Sequence, residues 1–97
     1  MKTLMVSYDL KTPGQKYDPI YEYLKGFDGW AHALDSLWFV RTDKSPSEVR
    51  DELGAIIDAN DHVLVLDVTG DDWASRLTTP LNDWLQNHMH TLDPIFG

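Results

Sequence analysis

The sequence predicts one small α+β domain whose strands and helices follow the order β-α-β-β-α-β. Its 97 residues suit one hydrophobic core rather than two. Its apolar residues recur at every second position in some segments and at every third or fourth position in others, as strands and amphipathic helices require. The chain contains no cysteine, so disulfides and thiolate metal sites are excluded. The hydrophobic core must therefore stabilise the fold without cross-links.

The first strand and the first helix are predicted from alternation and from a helix-start signal. Residues 3–9 point every second side chain to one face, as a half-buried strand does: Leu4, Val6 and Tyr8. The turn-rich residues 11–15 predict an exposed loop. A helix then begins with Asp18 as the N-cap and Pro19 at the first helical position, and Gly26 or Gly29 ends it.

The middle of the chain predicts two more strands, a second helix and a fourth strand. Residues 30–34 and 37–41 indicate two strands joined tightly at Asp35-Ser36, with a single long kinked strand as the alternative. The segment Ser45-Pro46-Ser47-Glu48 has the pattern of a capping box and opens a helix that we expect to stop near Asn60. Residues 62–69, with the sequence HVLVLDVT, predict a largely apolar strand.

This order of elements predicts a ferredoxin-like βαββαβ sandwich. Right-handed crossovers on an antiparallel sheet give it the strand order 4-1-3-2. Thr79-Pro80 starts an extra C-terminal helix, and Ile95 and Phe96 in the tail are apolar enough to pack on a neighbour. We therefore expect a single domain over residues 1–97, with its core in residues 3–69 and a C-terminal helix and tail in residues 79–97.

The charge balance restricts the partners that we expect. Eight Lys and Arg residues stand against sixteen Asp and Glu residues, which gives a net charge of −8. Such a surface repels phosphate backbones, so nucleic acid is disfavoured as a partner. No apolar run approaches the roughly 18 residues that span a bilayer, and the opening MKTLMVSYDL is too short and too polar for a signal peptide. We expect a cytoplasmic protein that does not bind membranes.

Acidic and hydroxyl side chains are predicted to meet at one end of the sheet. In this topology the end of the first strand lies beside the starts of the third and fourth strands. Three groups of residues should then come together: Asp9, Asp35 with Ser36, and Asp61 with His62. Oxygen ligands of this kind suit Mg²⁺ or Mn²⁺. The alternative is that these carboxylates cap turns and face water. Asp67 is predicted to lie outside the cluster, exposed on the open sheet face.

Other combinations of reactive residues have simpler interpretations. The histidines lack the spacing of a zinc site: His32, His62, His88 and His90. Ser7, Ser36 and His62 lack a nucleophile elbow, so nucleophilic catalysis by serine is rejected. The four tryptophans favour core packing or a subunit interface over base stacking, because lysines and arginines are spread along the chain.

Three segments carry a resemblance to a known family. The segments LMVSYDL, HALDSLWFV and HVLVLDVTGDDWAS together resemble the SinR-like family of short prokaryotic proteins. That family is related to the CRISPR-associated Cas-two-like and VapD-like ferredoxin-fold proteins. The resemblance covers residues 3–76 and implies a symmetric homodimer.

The resemblance also implies a site and an activity. In the Cas-two-like relatives, an aspartate after the aromatic residue of the first strand is proposed to hold a divalent metal together with its copy from the other subunit. Asp9 after Tyr8 is similar, and Ser36 and Phe39 are similar to the second motif of those relatives. The implied catalytic residues are Asp9 and Ser36, with Asp9 as the ligand of Mg²⁺ or Mn²⁺. The implied reaction is metal-dependent hydrolysis of phosphodiesters, in which the metal holds the phosphate and activates water.

The sequence departs from these relatives in two respects. Ala31-His32-Ala33 occupies the stretch in which they typically carry an arginine, and the overall acidity contrasts with proteins that bind DNA. A second hypothesis is therefore a non-enzymatic protein-interaction module. It would bind a basic protein through its acidic surface and its apolar tail (Ile95, Phe96), as a regulator or a mimic of nucleic acid. The sequence leaves both hypotheses open.

Overall fold

The computed structural model describes residues 1–11 and 17–89, which form four strands and three helices. In chain order the elements are β1 (Lys2–Asp9), α1 (Asp18–Lys25), β2 (Gly29–Leu34), β3 (Leu37–Thr42), α2 (Pro46–Gly54), β4 (His62–Asp67) and α3 (Thr79–His88). Most of the predicted loop at residues 11–15, and the tail with Ile95 and Phe96, lie outside the described residues. No helix among the described residues is long and apolar enough to cross a membrane.

The four strands form one antiparallel sheet in the order β2-β3-β1-β4, which reads 4-1-3-2 from the opposite edge. The predicted α+β class and the antiparallel sheet are therefore confirmed. The prediction of two strands on either side of Asp35-Ser36 is also confirmed, because β2 and β3 pair with each other across that turn. Strand β1 is central and pairs with β3 on one side and β4 on the other.

The first face of the sheet is the one on which α1 and α2 pack. Alternation in β1 and β3 sends their larger apolar side chains to this face, where the helices bury them. The core consists of these residues: Leu4, Val6, Tyr8, Ile20, Leu24, Trp38, Val40, Val49 and Leu53. Trp38 is the largest fully buried side chain, with 0% of its surface exposed. The first face therefore supplies the main hydrophobic stabilisation of the fold.

The helix starts were predicted with mixed success. The capping box of α2 is confirmed: the Ser45 hydroxyl accepts from the Glu48 backbone N–H, and the Glu48 carboxylate accepts from the Ser45 N–H. The prediction of Asp18 as the N-cap of α1 is wrong by one residue, since Tyr17 occupies that position without a side-chain cap and Asp18 begins the helix. An acidic residue in the first turn still favours the helix dipole.

One helix and one strand end earlier in the chain than predicted. Helix α2 ends at Gly54 rather than near Asn60, and the following turn is stabilised by Asp61, whose carboxylate accepts from the Asp58 N–H at 2.9 Å. Strand β4 ends at Asp67 rather than Thr69. The Asp67 carboxylate accepts hydrogen bonds from both the backbone N–H and the hydroxyl of Thr69, at 3.0 and 2.7 Å. These local bonds turn the chain out of the strand.

The second face of the sheet is covered only in part, by α3. The rings of Trp84 and Phe39 lie 6.3 Å apart, and Leu85 and Met89 are buried. Gly29 leaves room for the Arg41 side chain beside α3, because a Cβ atom at Gly29 would lie 3.1 Å from Arg41 Cγ. The rest of this face is left open, and we call it the open half of the second face: Met5, Ser7, Leu34, Leu37, Leu64 and Leu66.

Candidate functional site

The structure brings the predicted site residues to one end of the sheet. Asp9 stands directly opposite His62 in the pairing of β1 with β4. The Tyr8 N–H donates to the Ser36 carbonyl oxygen at 3.1 Å, which places the turn between β2 and β3 beside the same end. By alternation along their strands, Asp9 and His62 both belong to the second face, next to Ser7 and Leu64.

The Asp9 carboxylate is exposed and has one charged neighbour among the described residues. Its Oδ2 atom lies 2.6 Å from Lys11 Nζ, and 65% of its side-chain surface is exposed. An ion pair at this exposure contributes little free energy, so a divalent cation could displace the lysine. The described residues contain no group of three or more His, Cys, Asp or Glu side chains arranged to hold a metal. Asp9 and His62 alone would leave most coordination positions of an ion to water or to a second chain.

Asp61 and Asp35 do not add carboxylates to Asp9. The Asp61 carboxylate accepts from the backbone N–H of Lys11 at 2.8 Å and from that of Asp58 at 2.9 Å, and the residue is only 8% exposed. Asp61 therefore caps a turn, as the alternative interpretation predicted, but it is buried rather than facing water. The recorded hydrogen bonds of Asp35 are made by its backbone oxygen, to the Tyr8 hydroxyl and His32 Nε2.

A buried hydrogen-bond network under this end was missed at the sequence level. The Tyr8 hydroxyl donates to the Asp35 carbonyl oxygen at 3.3 Å and accepts from Trp38 Nε1 at 3.2 Å. Burial raises the pKa of the Tyr8 hydroxyl to about 12, so the group is protonated near neutral pH. A tyrosine on the core face of a strand needs a polar partner, and that requirement could have revealed the network.

Replacing Tyr8 by phenylalanine is expected to lower the free energy of unfolding by about 1–3 kcal/mol, because Trp38 Nε1 loses its acceptor inside the core. Urea denaturation near neutral pH measures this loss. Tyr17→Phe is the matched control: its ring is 41% exposed and its hydroxyl makes no hydrogen bond within residues 1–11 and 17–89. Equal stability changes in the two variants would contradict the network.

Wild type and Tyr8→Phe also give a test at high pH. The pKa of Tyr8 in the folded protein lies above the ordinary tyrosine value of 10.0. The stability linked to its protonated hydroxyl is therefore complete below pH about 10 and falls as the pH rises towards about 12. The stability difference between wild type and Tyr8→Phe should narrow over that range, because the variant lacks the group. A difference that stays constant to pH 12 would show that Tyr8 titrates normally.

Several tryptophans and histidines pack against each other rather than forming sites. His32 stacks on Trp38 with ring centroids 4.1 Å apart, and His88 stacks on Trp84 at 4.2 Å. The prediction that the tryptophans lie in the core or an interface is confirmed for Trp38, whereas Trp30 and Trp73 are exposed. His90 lies outside the described residues.

Asp67 is exposed, as predicted, but the predicted face is wrong. It stands opposite Leu4 in the pairing of β1 with β4, so it belongs to the margin of the first face. The hydrogen bonds from Thr69 hold the pKa of its carboxyl below its usual range. Asp67 lies at the far end of β4 from His62, so it stays outside the site, as expected.

A long open groove runs beside the site and was not predicted. One part, of about 500 Å³, lies between the sheet, residues 71–77 and α3. A second part, of about 680 Å³, reaches Ser7, Asp35 and Ser36. The two parts share Ala33, Leu34 and Leu37, and we call them together the open groove. Its sequence signal was weak, because residues 71–77 (DDWASRL) have neither strand nor helix periodicity.

Comparison of the chain with protein-family models, with curated proteins and with solved structures finds no match. The fold and the site therefore define the class of protein by themselves. It is an α+β protein with a four-stranded antiparallel sheet, a buried first face and a half-open second face.

Proposed function

We propose that this chain is a ferredoxin-like protein of the SinR-like kind that works as a non-enzymatic interaction module and binds a basic protein through the open half of its second face. The observation that carries the proposal is the exposure of three leucines on that face. Leu34, Leu64 and Leu66 expose 55%, 54% and 42% of their surface. Leu34 lies on the edge strand β2 and the other two lie on the opposite edge strand β4, with Leu37 and Met5 between them on the same face. An exposed apolar surface with a polar border is typical of interaction sites.

Charge supports a basic partner. The chain carries a net charge of −8, and carboxylates lie around the open half: Asp9, Asp35, Asp71 and Asp72. A positively charged protein would be attracted to this border, whereas a phosphate backbone would be repelled. The open leucines would then supply the short-range contacts.

A random peptide library tests the proposal. Peptides selected on the immobilised protein should carry net positive charge, and their binding should weaken when NaCl rises from about 50 mM to about 500 mM. The double variant Leu64→Ser, Leu66→Ser should lose the enrichment, whereas Leu81→Ser on α3 should keep it. Enrichment without a charge bias, or an undiminished enrichment on the double variant, would contradict the proposal.

A second candidate function is a metal-dependent nuclease that acts as a homodimer. The position of Asp9 favours it: this exposed carboxylate lies at the border of the open half with His62 opposite. If two copies associate there, the second copy would add its own Asp9 to an incomplete ligand set. Asp9 would hold Mg²⁺ or Mn²⁺, and the ion would bind a phosphate and activate water. Ser36 lies at the same end of the sheet.

Cleavage assays decide between the two candidates. Labelled RNA and DNA are incubated with Mg²⁺, Mn²⁺ or EDTA and with wild type, Asp9→Asn or the control Asp83→Asn, which changes an exposed carboxylate on α3. Light scattering on the same samples gives the mass. Metal-dependent cleavage that only Asp9→Asn loses would establish the nuclease and overturn the non-enzymatic proposal. Inert wild-type protein would exclude the nuclease candidate.

A further inference from the structure

The open groove has the shape and charge of a binding site for an extended peptide. We infer that it takes a short extended segment of the basic partner in which two apolar side chains, two positions apart, are flanked on both sides by Lys or Arg. This inference rests on the proposed interaction function and assigns that function a place in the fold and a sequence pattern in the partner.

The floor of the groove is apolar. Met5, Leu37 and Phe39 come from the sheet, and Leu85 and Met89 come from α3 and its C-cap. Leu85 and Met89 are buried, at 4% and 6% exposed, so they close the base of the groove beneath α3. Apolar side chains of a ligand would gain free energy there by leaving water.

Residues 71–77 form the outer wall of the groove, and hydrogen bonds hold this wall at both ends. The Gly70 N–H donates to the Met89 carbonyl oxygen at 3.1 Å. At the other end, the Ser75 hydroxyl donates to Asn82 Oδ1 at 2.6 Å, and Asn82 Nδ2 donates to the Leu77 carbonyl oxygen at 3.2 Å. The wall therefore stands apart from the sheet with the groove between them, and a ligand does not need to open it first.

The division of the groove into two adjoining parts favours a chain over a compact small molecule. A part of about 500 Å³ alone is within the usual range of small-ligand sites. It continues over Ala33, Leu34 and Leu37 into the second part, of about 680 Å³, which opens towards Ser7 and Ser36. An extended peptide, which advances about 3.3 Å per residue, can occupy both parts at once.

Carboxylates lie at both ends of the groove. Asp71 and Asp72 line the end beside α3, and Asp35 lines the other end. These three carboxylates make no ion pair or hydrogen bond within the described residues. Arg76 is the one cation among the described residues that line the groove, and the carboxylates outnumber it. Basic residues on both sides of an apolar pair match this distribution.

The experiment uses a fluorescent peptide with the sequence Arg-Lys-Leu-Ser-Phe-Lys-Arg, in which Leu and Phe share one face of the extended chain, and measures its anisotropy with the full chain. We expect binding that weakens about five-fold in the double variant Asp71→Asn, Asp72→Asn and about two-fold in Asp35→Asn. The double variant Asp51→Asn, Asp83→Asn removes the same charge from exposed helix positions outside the groove. It should leave the affinity within about two-fold. Replacing both the Leu and the Phe by Gly, which gives the Gly-Gly peptide, should weaken binding at least about ten-fold.

Other outcomes would overturn the inference. Equal weakening by the two double variants would show unspecific attraction to an acidic surface. Equal affinity of the Gly-Gly peptide would exclude the apolar floor, and absence of binding would exclude the site. If the protein self-associates and thereby releases the peptide, as measured by light scattering, the groove binds a second copy of the chain instead. In each of these cases, the library peptides decide whether the interaction function is also wrong. If their enrichment is still lost in the double variant Leu64→Ser, Leu66→Ser, the interaction function stands and only its assignment to the groove is wrong.

Discussion

Trp38→Ala is expected to lower the free energy of unfolding by about 3–5 kcal/mol, a large part of the stability of a domain of this size. Trp38 has no exposed surface and is the largest buried side chain. Its ring contacts aromatic neighbours from strand β2 and helix α1, with centroid distances of 4.1 Å to His32 and 5.4 Å to both Tyr21 and Trp30. Alanine would leave a cavity at the centre of this cluster.

Far-UV circular dichroism during urea denaturation measures this loss, because tryptophan fluorescence would change with the substitution itself. Trp73→Ala is the matched control, since Trp73 is 38% exposed and lies in the irregular segment after β4. We expect the control to change stability by less than about 1 kcal/mol. Similar losses in the two variants would mean that Trp38 does not anchor the core.

Arg41→Met is expected to lower the free energy of unfolding by about 1.5–3 kcal/mol and to loosen α3. One guanidinium nitrogen of Arg41 donates to Thr3 Oγ1 at 2.7 Å and to the His88 carbonyl oxygen at 3.1 Å. The Thr3 hydroxyl also donates to the same carbonyl. This oxygen lies at the C-terminal end of α3, where carbonyls lack helical partners and favour a positive charge. Methionine keeps an unbranched apolar side chain beside Gly29 but removes the donors.

Hydrogen exchange separates the local effect from the global one. The N–H groups of Gly70 and Met89 should exchange faster in Arg41→Met. Their hydrogen bonds, to the carbonyl oxygens of Met89 and Leu85, form only while the end of α3 is packed in place. Arg50→Met is the control: Arg50 pairs with Asp51 on the surface of α2, at 60% and 69% side-chain exposure. It should cost a few tenths of a kcal/mol at most. Unchanged exchange in Arg41→Met would show that α3 is held by apolar contacts alone.

Helix α3, which covers part of the second face, connects these stability predictions to the proposed function. Helix α3 supplies Leu85 and Met89 to the groove floor, and Arg41 fixes the end of that helix. A variant that loosens α3 should therefore weaken binding of the Arg-Lys-Leu-Ser-Phe-Lys-Arg peptide as well as the stability of the fold. Tyr8 acts at the other end, where its hydroxyl bonds the turn that carries Asp35 and Ser36.

The candidate site was predictable in part. The order of elements brings Asp9, Ser36 and His62 to one end of the sheet, and this follows from topology. The role of Asp61 did not follow, because its carboxylate could face the cluster or cap its own turn, and only the hydrogen bonds to Lys11 and Asp58 decide between these. The open groove was invisible for a similar reason, since it is the space that α3 and residues 71–77 leave uncovered.

The sequence by itself determined the elements whose signals lie between near neighbours in the chain: the alternation of β1, the Ser45–Glu48 capping box and the turn at Asp35-Ser36. Tertiary structure alone decided which face each side chain joins and how much of that face is covered. Asp67 shows the reason. Its exposure follows from its charge, but its face depends on the register that sets it opposite Leu4. The strand register and the extent to which a helix covers a face depend on contacts between residues far apart in the chain. Local propensity carries no information about such contacts.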